Sequence, residues 1–518
     1  MGIMTEIENM LFDFVELFNE VKRNRESPKV RSLFEKMGMD YYHVVDNNID
    51  LYSVLDREFA EDSQLYILVL SVLFLISKDE KILAKTESLL LLDHLPVDVS
   101  LRLFRQININ HFNNGFSLPE YQNERKVHRH FLQRLERELD FSIEYIPYEE
   151  RNHNLIILET DTLLSDYHAP TKLVLNMCKT LKYEMGYEVY LIVNVLKIDV
   201  ENIEDYWLFP YWINYLEELN GEFVREYEGK EIMGYQQVIS ENDLASICHS
   251  IDIIKAKKPE FVWHIGSDSV LSDLFAKVTT LLSMRCIDGY SVSEAPILVS
   301  YMRNDKNYIG ISREYMKRHG QQYLDIDIAL PYYDSGKEYS AKDFGIPEDG
   351  FIIAVVGNRL DSEISDEFLR VMETILQREQ QVYFVIIGEC RINWSEGVFQ
   401  GRVVSLGFCK DLCNVLKATH LFLNPKRQGG SGGAACAISV GVPVLTLGDC
   451  DTAFVGEHFI CEKMEQYPDT VSKYCYDQEF YVRQSRYALE KHKSTRVSHK
   501  KECAKVVKFV RDWLEECE

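Results

Sequence analysis

Apolar residues recur at helical spacing along roughly the first 145 positions. Leu11, Phe14, Val15, Phe18 and Val21 share one face of a helix, and Thr5-Glu6-Ile7-Glu8 ahead of them reads as a capping box. Similar stripes around residues 50–77, 79–92 and 124–139 predict further helices. No fixed period links them, so they do not form a solenoid pattern. The stripes read first as ordinary core and second as a groove for a protein partner. The longest apolar run, Leu65 to Ile76, is interrupted by Ser71. It falls short of the roughly 20 residues a membrane span requires and predicts a buried helix.

At Asn154 the period changes. Leu155-Ile156-Ile157-Leu158 is a short apolar strand, followed by a helix from about Thr171 to Met185 and a strand from Glu188 to Val195. Phe261 to Ile265 and Ile297 to Val299 are further strands. Strands alternating with helices predict a parallel sheet covered on both faces. After the linker Tyr332-Tyr333-Asp334-Ser335-Gly336 the pattern restarts. Phe351–Val356, Val382–Ile387, Val403–Gly407, Leu421–Leu423 and Val444–Leu447 are strands, with a helix from about Ser365 to Leu376. Two helices close the chain, the last marked by Cys503, Val506, Val507, Val510, Trp513 and Leu514. The expected fold class is α/β: two Rossmann-like doubly wound domains (149–335 and 336–495) behind an all-α N-terminal domain (1–148).

Such sheets bind ligands at the carboxyl ends of their strands. In the second domain those ends carry Gly357-Asn358-Arg359, Gly407-Phe408 and the stretch Asn424-Pro425-Lys426-Arg427-Gln428-Gly429-Gly430-Ser431-Gly432-Gly433. The five residues from Gly429 to Gly433 lead into a small-residue helix, Ala434 to Val440. A glycine loop entering a helix lets backbone N–H groups approach a phosphate. Lys426 and Arg427 add positive charge, and the Arg359 guanidinium can donate a fork of hydrogen bonds to a diphosphate. The competing readings are a flexible linker for the glycines, a surface ion pair for Arg359 and a core position for Phe408, which otherwise contacts a base. Linkers, however, are flanked by polar sequence, and this loop has apolar strands on both sides.

Charge narrows the partners. The 518-residue chain has a formal net charge of −25. That repels nucleic acid and anionic membranes and makes any phosphate site depend on a local basic pocket. The 12 cysteines form no C-x-x-C pair, the closest two being Cys409 and Cys413. They read as reduced thiols of a cytoplasmic protein without a metal site. Glu6 and Glu8 stand where a secretory signal has basic residues, and Gly2 lacks the Ser or Thr of a myristoylation signal. Asp325-Ile326-Asp327 matches a metal-binding Asp-x-Asp formally, but it precedes the linker and reads as structural.

The second half, with Gly357-Asn358-Arg359, Leu406-Gly407-Phe408, Asp411-Leu412, Leu423-Asn424-Pro425, Gly432-Gly433 and Gly441-Val442-Pro443-Val444, resembles the donor-binding half of GT-B fold glycosyltransferases. The likeness covers roughly residues 150–518. The added helical domain is similar in layout to cytoplasmic adhesin glycosyltransferases of the HMW1C type. The resemblance implies a nucleotide-diphosphate sugar, with a UDP-sugar as leading choice, serving as co-substrate with no further cofactor. It also implies a C-terminal helix, 496–518, crossing back to the first domain, and a cleft that hinges around residues 330–350. One departure stands out. Many retaining members carry two glutamates eight apart, and the matching positions here are Gln428 and Cys436.

Catalytic groups are expected from the first domain, where Ser165-Asp166-Tyr167-His168-Ala169-Pro170-Thr171 follows its first strand. Asp166 or His168 can take the acceptor proton, a task suited to histidine. Otherwise Asp166 is a helix cap and His168 a loop residue. His264-Ile265-Gly266-Ser267-Asp268 ends another strand, with Ser267 or Asp268 as alternative cap. A dinucleotide enzyme is the rival reading, because Gly430 to Ala435 matches G-x-G-x-x-A and Asp449 follows. Five residues between strand and glycines, and a position late in the domain, count against it. The expected activity is metal-independent transfer of a sugar to a protein or cell-surface glycan. The alternative is a non-catalytic GT-B partner or chaperone subunit of a glycosylation or secretion system, with the helical domain holding a protein partner.

Overall fold

The computed structural model describes residues 2–23, 28–46, 51–77, 79–93, 95–114, 118–139, 144–197, 215–286, 291–300, 313–327, 335–427, 429–495 and 498–517. Seven helices open the chain: α1 (Gly2–Arg23), α2 (Pro28–Asp46), α3 (Leu51–Glu58), α4 (Ser63–Ser77), α5 (Glu80–Leu90), α6 (Val97–Asn114) and α7 (Leu118–Glu138). The first begins upstream of Thr5, which therefore lies inside a helix and not at its cap. The apolar run Leu65 to Ile76 lies within α4, and among the described residues no helix is long and apolar enough to cross a membrane.

The first sheet contains β1 (Asn152–Thr160), β2 (Glu188–Lys197), β3 (Gly221–Tyr227), β4 (Lys230–Ser240), β5 (Pro259–Gly266), β6 (Leu281–Arg285), β7 (Ile297–Ser300) and β8 (Gln322–Asp325). Their order is β3-β4-β2-β1-β5-β6-β7-β8, with β3 antiparallel to β4 and the other pairs parallel. Leu155 and Ile157 of β1 enter one core, whereas Ile156 and Leu158 enter the other. A strand buried on both faces must be apolar throughout, which explains its unbroken run. The first of these cores continues into Phe14, Leu73, Phe104 and Phe131 of the helical region. The N-terminal helices thus cover one sheet face together with the helix Ile247–Lys257. The opposite face is covered by α8 (Ala169–Lys179) and by the C-terminal helix His499–Cys517, whose Cys503, Val506, Val510 and Leu514 lie in that core. Arg511 of the same helix pairs with the buried Glu260 at 2.7 Å.

The second sheet contains β9 (Phe351–Val356), β10 (Val382–Ile387), β11 (Val403–Gly407), β12 (Leu421–Leu423), β13 (Val444–Leu447) and β14 (Ile460–Cys461). All its neighbours run parallel in the order β11-β10-β9-β12-β13-β14. Counted from β9 this is 3-2-1-4-5-6, the order of a dinucleotide-type Rossmann sheet. The connection reverses between β9 and β12, and a crevice opens at their carboxyl ends.

Asp325 pairs with Arg313. The hinge expected around 330–350 lies partly outside the described residues.

Candidate active site

The carboxyl ends of β9 and β12 face the start of α8 across a cleft of about 330 Å³. Its first-domain wall is Tyr167, His168, Ala169, Pro170 and Lys172. The second-domain wall includes Gly357, Asn358, Arg359, Phe408, Lys410, Arg427, Gly430, Gly432 and Gly433. The structure therefore brings most of the sequence-derived candidates to one place. Five do not line it, Gly429 among them. Asn424 is fully buried, Lys426 is turned to Asp449 at 3.1 Å, and Asp166 is held by Arg225 at 2.5 Å. Ser431 opens the helix Ser431–Ser439. That helix starts three residues before Ala434, so Gly432 and Gly433 form its first turn and the loop proper ends at Gly430.

The floor of the cleft is an ion triad. The Glu363 carboxylate accepts from Arg427 at 2.5 Å and pairs with Arg359 at 2.9 Å. Arg427 also donates to the Val356 carbonyl at 2.6 Å and, through Nε, to Asn424 Oδ1 at 3.0 Å. A buried guanidinium needs this number of acceptors to offset its lost hydration. Asn424 in turn donates to Thr452 at 2.9 Å, so its role is to orient Arg427. The strand-end glycine is required here: a Cβ on Gly357 would collide with Arg427 Nη1 and Glu363 Oε2. Gly430 has φ of +84°, and a Cβ there would lie 2.7 Å from the same guanidinium. Gly429 N–H donates to Asp451 at 2.7 Å. Burial raises the Asp451 carboxyl pKa against the opposing pull of that bond and of Arg285, Arg359 and Arg427. Glu363, Lys172, Lys410 and Asp451 escaped the sequence reading, because their roles depend on contacts between distant segments.

His168 is the N-cap residue of α8, with extended backbone, and Pro170 follows in the first turn, where its missing N–H costs nothing. Its Nδ1 lies 3.0 Å from Thr171 Oγ1. With Nδ1–H donating to that oxygen, Nε2 carries the lone pair a base needs. Burial pushes its pKa below the ordinary value, against a weaker pull from Asp161, which keeps the ring neutral near pH 7. Phe408 is 52% exposed and so is not the core position that was one of its two readings; it lines the cleft and packs edge-on against Tyr167 with ring centroids 5.7 Å apart, and Lys410 lies over the Tyr167 ring at 5.3 Å. This aromatic contact joins the two walls.

Behind the first-domain wall lies a second polar cluster. His264 Nδ1 meets Glu159 at 2.5 Å and Nε2 meets the Ser267 carbonyl at 2.7 Å. Both partners accept, so both ring nitrogens carry protons. Burial opposes that charge, but Glu159 and Asp161 outweigh it and bring the pKa up to about 9. Asp161, whose burial is outweighed by Arg105 of α6 at 2.6 Å and by His264, is brought down to about 2. The cap of the following helix is Ser269, and neither Ser267 nor Asp268 serves as one. A histidine with a raised folded pKa stabilises the fold fully below its unfolded pKa and loses that contribution as pH rises through the folded value. Stability is therefore expected to fall by on the order of 3 kcal/mol between about pH 6.5 and 9. Urea unfolding across that range should show the loss, and His264→Gln should flatten it.

The cysteines need a correction. Cys413 and Cys436, both lining the cleft, form a disulfide with Cα atoms 5.6 Å apart, whereas nine other described cysteines are thiols. Sequence spacing could not reveal this pair, because the helices Leu412–Lys417 and Ser431–Ser439 meet only in the folded domain. The bridge closes a loop of 23 residues. Replacing both cysteines by serine is expected to cost about 3 kcal/mol in urea unfolding.

No protein-family model matches the chain, and no curated protein matches it in sequence. Solved structures do match. An O-GlcNAc transferase from Thermobaculum terrenum, in a mutant form, aligns over 100% of both chains with a TM-score of 0.56 and 12% identity. A glycosyltransferase from Rickettsia africae aligns with 70% of this chain and 99% of its own, at TM-score 0.48 and 10% identity. HepE from Anabaena in complex with UDP-glucose aligns with 70% and 99%, at TM-score 0.44 and 10% identity. The whole-length match agrees with the two sheets, the reversed connection and the returning C-terminal helix, and the fold is that of the GT-B glycosyltransferases.

Proposed function

We propose that the protein transfers a sugar from a nucleotide-diphosphate sugar, with UDP as the nucleotide, to a protein or cell-surface glycan in the cytoplasm. The observation that carries this reading is the charge of the cleft. Lys172, Arg359, Lys410 and Arg427 line it, with Glu363 the one carboxylate among the described residues of its wall, in a chain of net charge −25. An acidic protein that gathers cations at the switch point of a Rossmann sheet has built an anion site. Arg359, half-exposed beside the loop, is placed to meet a diphosphate, and charge developing on the leaving group is stabilised by these cations without a metal. His168 serves as base for the acceptor hydroxyl. Asp166, engaged by Arg225, is the weaker candidate. The whole-length likeness to an enzyme named for O-GlcNAc transfer supports a transferase. An open cleft of about 330 Å³ counts against a non-catalytic partner subunit, whose cleft has no ligand to admit.

The test is donor turnover. The full chain is incubated in EDTA with UDP-, GDP- and TDP-sugars, following thermal shift and slow release of the nucleotide diphosphate. Selective stabilisation with release by one donor class supports the reading. Failure with every donor overturns it.

A further inference from the structure

Among the described residues, three of the four cations lining the cleft have a side-chain partner. Arg359 and Arg427 share Glu363, and Lys410 lies on the Tyr167 ring. Lys172, on the opposite wall, has no ion pair or side-chain hydrogen bond among the described residues. The two carboxylates that act on it are already engaged, Asp166 by Arg225 and Glu228 by Lys179, each at 2.5 Å. Its position is unfavourable on two further counts. It stands in the first turn of α8, where the helix dipole opposes a cation. It is also half-buried, and that burial lowers its pKa. A chain with 82 acidic side chains has many ways to pair a lysine. One left without a partner, facing a cleft that carries two arginines on its far wall, is a residue whose partner arrives with the ligand.

We propose that Lys172 is a phosphate-binding residue of the cleft, the first-domain counter-charge to a diphosphate whose other side meets Arg359. This rests on the donor-site reading above and deepens it: the ligand's phosphates bridge the two domains and are not held by the second alone. Ligand binding then draws α8 and the switch-point crevice together, with the Tyr167–Phe408 contact at their junction.

Two measurements on the full-length chain test it. In the first, trace acetylation with acetic anhydride is read by peptide mass spectrometry with and without inorganic pyrophosphate. Lys172 should be protected at least about fivefold, while the exposed Lys500 is unchanged. In the second, Lys172→Gln should weaken UDP binding by about tenfold or more, the weight of one charge-assisted contact, and leave uridine binding unaltered. Lys172→Arg should restore most of it. If the wild type binds UDP, yet Lys172 is labelled equally in both conditions and Lys172→Gln binds as wild type, the inference fails and the donor site stands. If pyrophosphate protects Lys172 but no nucleotide sugar is bound or turned over, the nucleotide-sugar reading fails and the anion site stands. A wild type that binds neither pyrophosphate nor UDP overturns both.

Discussion

Replacing His168 by alanine is expected to slow donor turnover by about 10²–10⁴-fold, the usual weight of a positioned general base. The argument is geometric first. His168 lines the cleft at the start of α8, its Nδ1 is oriented by Thr171 at 3.0 Å, and no other imidazole lines that wall. Thr171 is itself fixed, because its hydroxyl oxygen accepts from the Leu164 N–H at 2.8 Å. Burial then holds the ring pKa below its ordinary value, so the acid limb of kcat/KM should fall below about pH 6.5. UDP affinity should be unchanged in this variant, and the loss of one hydrogen bond to Thr171 should lower stability by only about 1 kcal/mol. Asp166→Ala is the contrast: it lies outside the cleft lining and answers to Arg225, so its loss should change turnover by less than about threefold. Equal losses in the two variants would contradict the assignment.

The second large effect is on folding. Arg427→Met should destabilise the protein by about 3–5 kcal/mol, the cost of breaking a buried ion pair from one side. Arg427 is 5% exposed, and its removal strands the Glu363 oxygen, the Val356 carbonyl and Asn424 Oδ1 together. Methionine fills the volume but satisfies none of them. If the triad is the cause, the double variant Arg427→Met with Glu363→Gln should lose less than the sum of the two single changes. Additive losses in urea unfolding would show that the residues act separately. The same triad explains why Arg359, and not Arg427, is the arginine available to a ligand. The Arg359 side chain is 40% exposed beside Glu363, while Arg427 is enclosed by three acceptors.

The second sheet was legible from the chain because β9, β10, β11, β12 and β13 are apolar runs ending in glycine or loop residues, and the structure gives them the same bounds. Its crevice was legible too, since motifs at strand ends fall together once the order 3-2-1-4-5-6 forms. The first sheet was read less fully. The β3–β4 hairpin carries Glu222, Arg225, Glu226, Lys230 and Glu231 on an edge, so its hydrophobic signal is weak. The two-residue β14 carries almost none. The glycine run looked like loop throughout because glycine has poor helix propensity, yet the helix anchored by the buried Ala434, Ala437 and Ile438 extends back to Ser431. The surface covered by the N-terminal helices was not legible, because amphipathic stripes do not name the surface they cover; they share one face of the first sheet with the helix Ile247–Lys257. Glu363 lies 64 residues from Arg427 and Cys413 lies 23 from Cys436, so neither pair has a local signature.

In the proposed function the switch-point cleft holds a nucleoside diphosphate on Arg359. Isothermal titration of UDP into the wild type and into Arg359→Ala tests it most directly. One site is expected in the wild type, weakened by about tenfold or more in the variant, with melting temperatures that agree within about a degree. Equal UDP affinity in the two proteins, or no binding by the wild type, would contradict it.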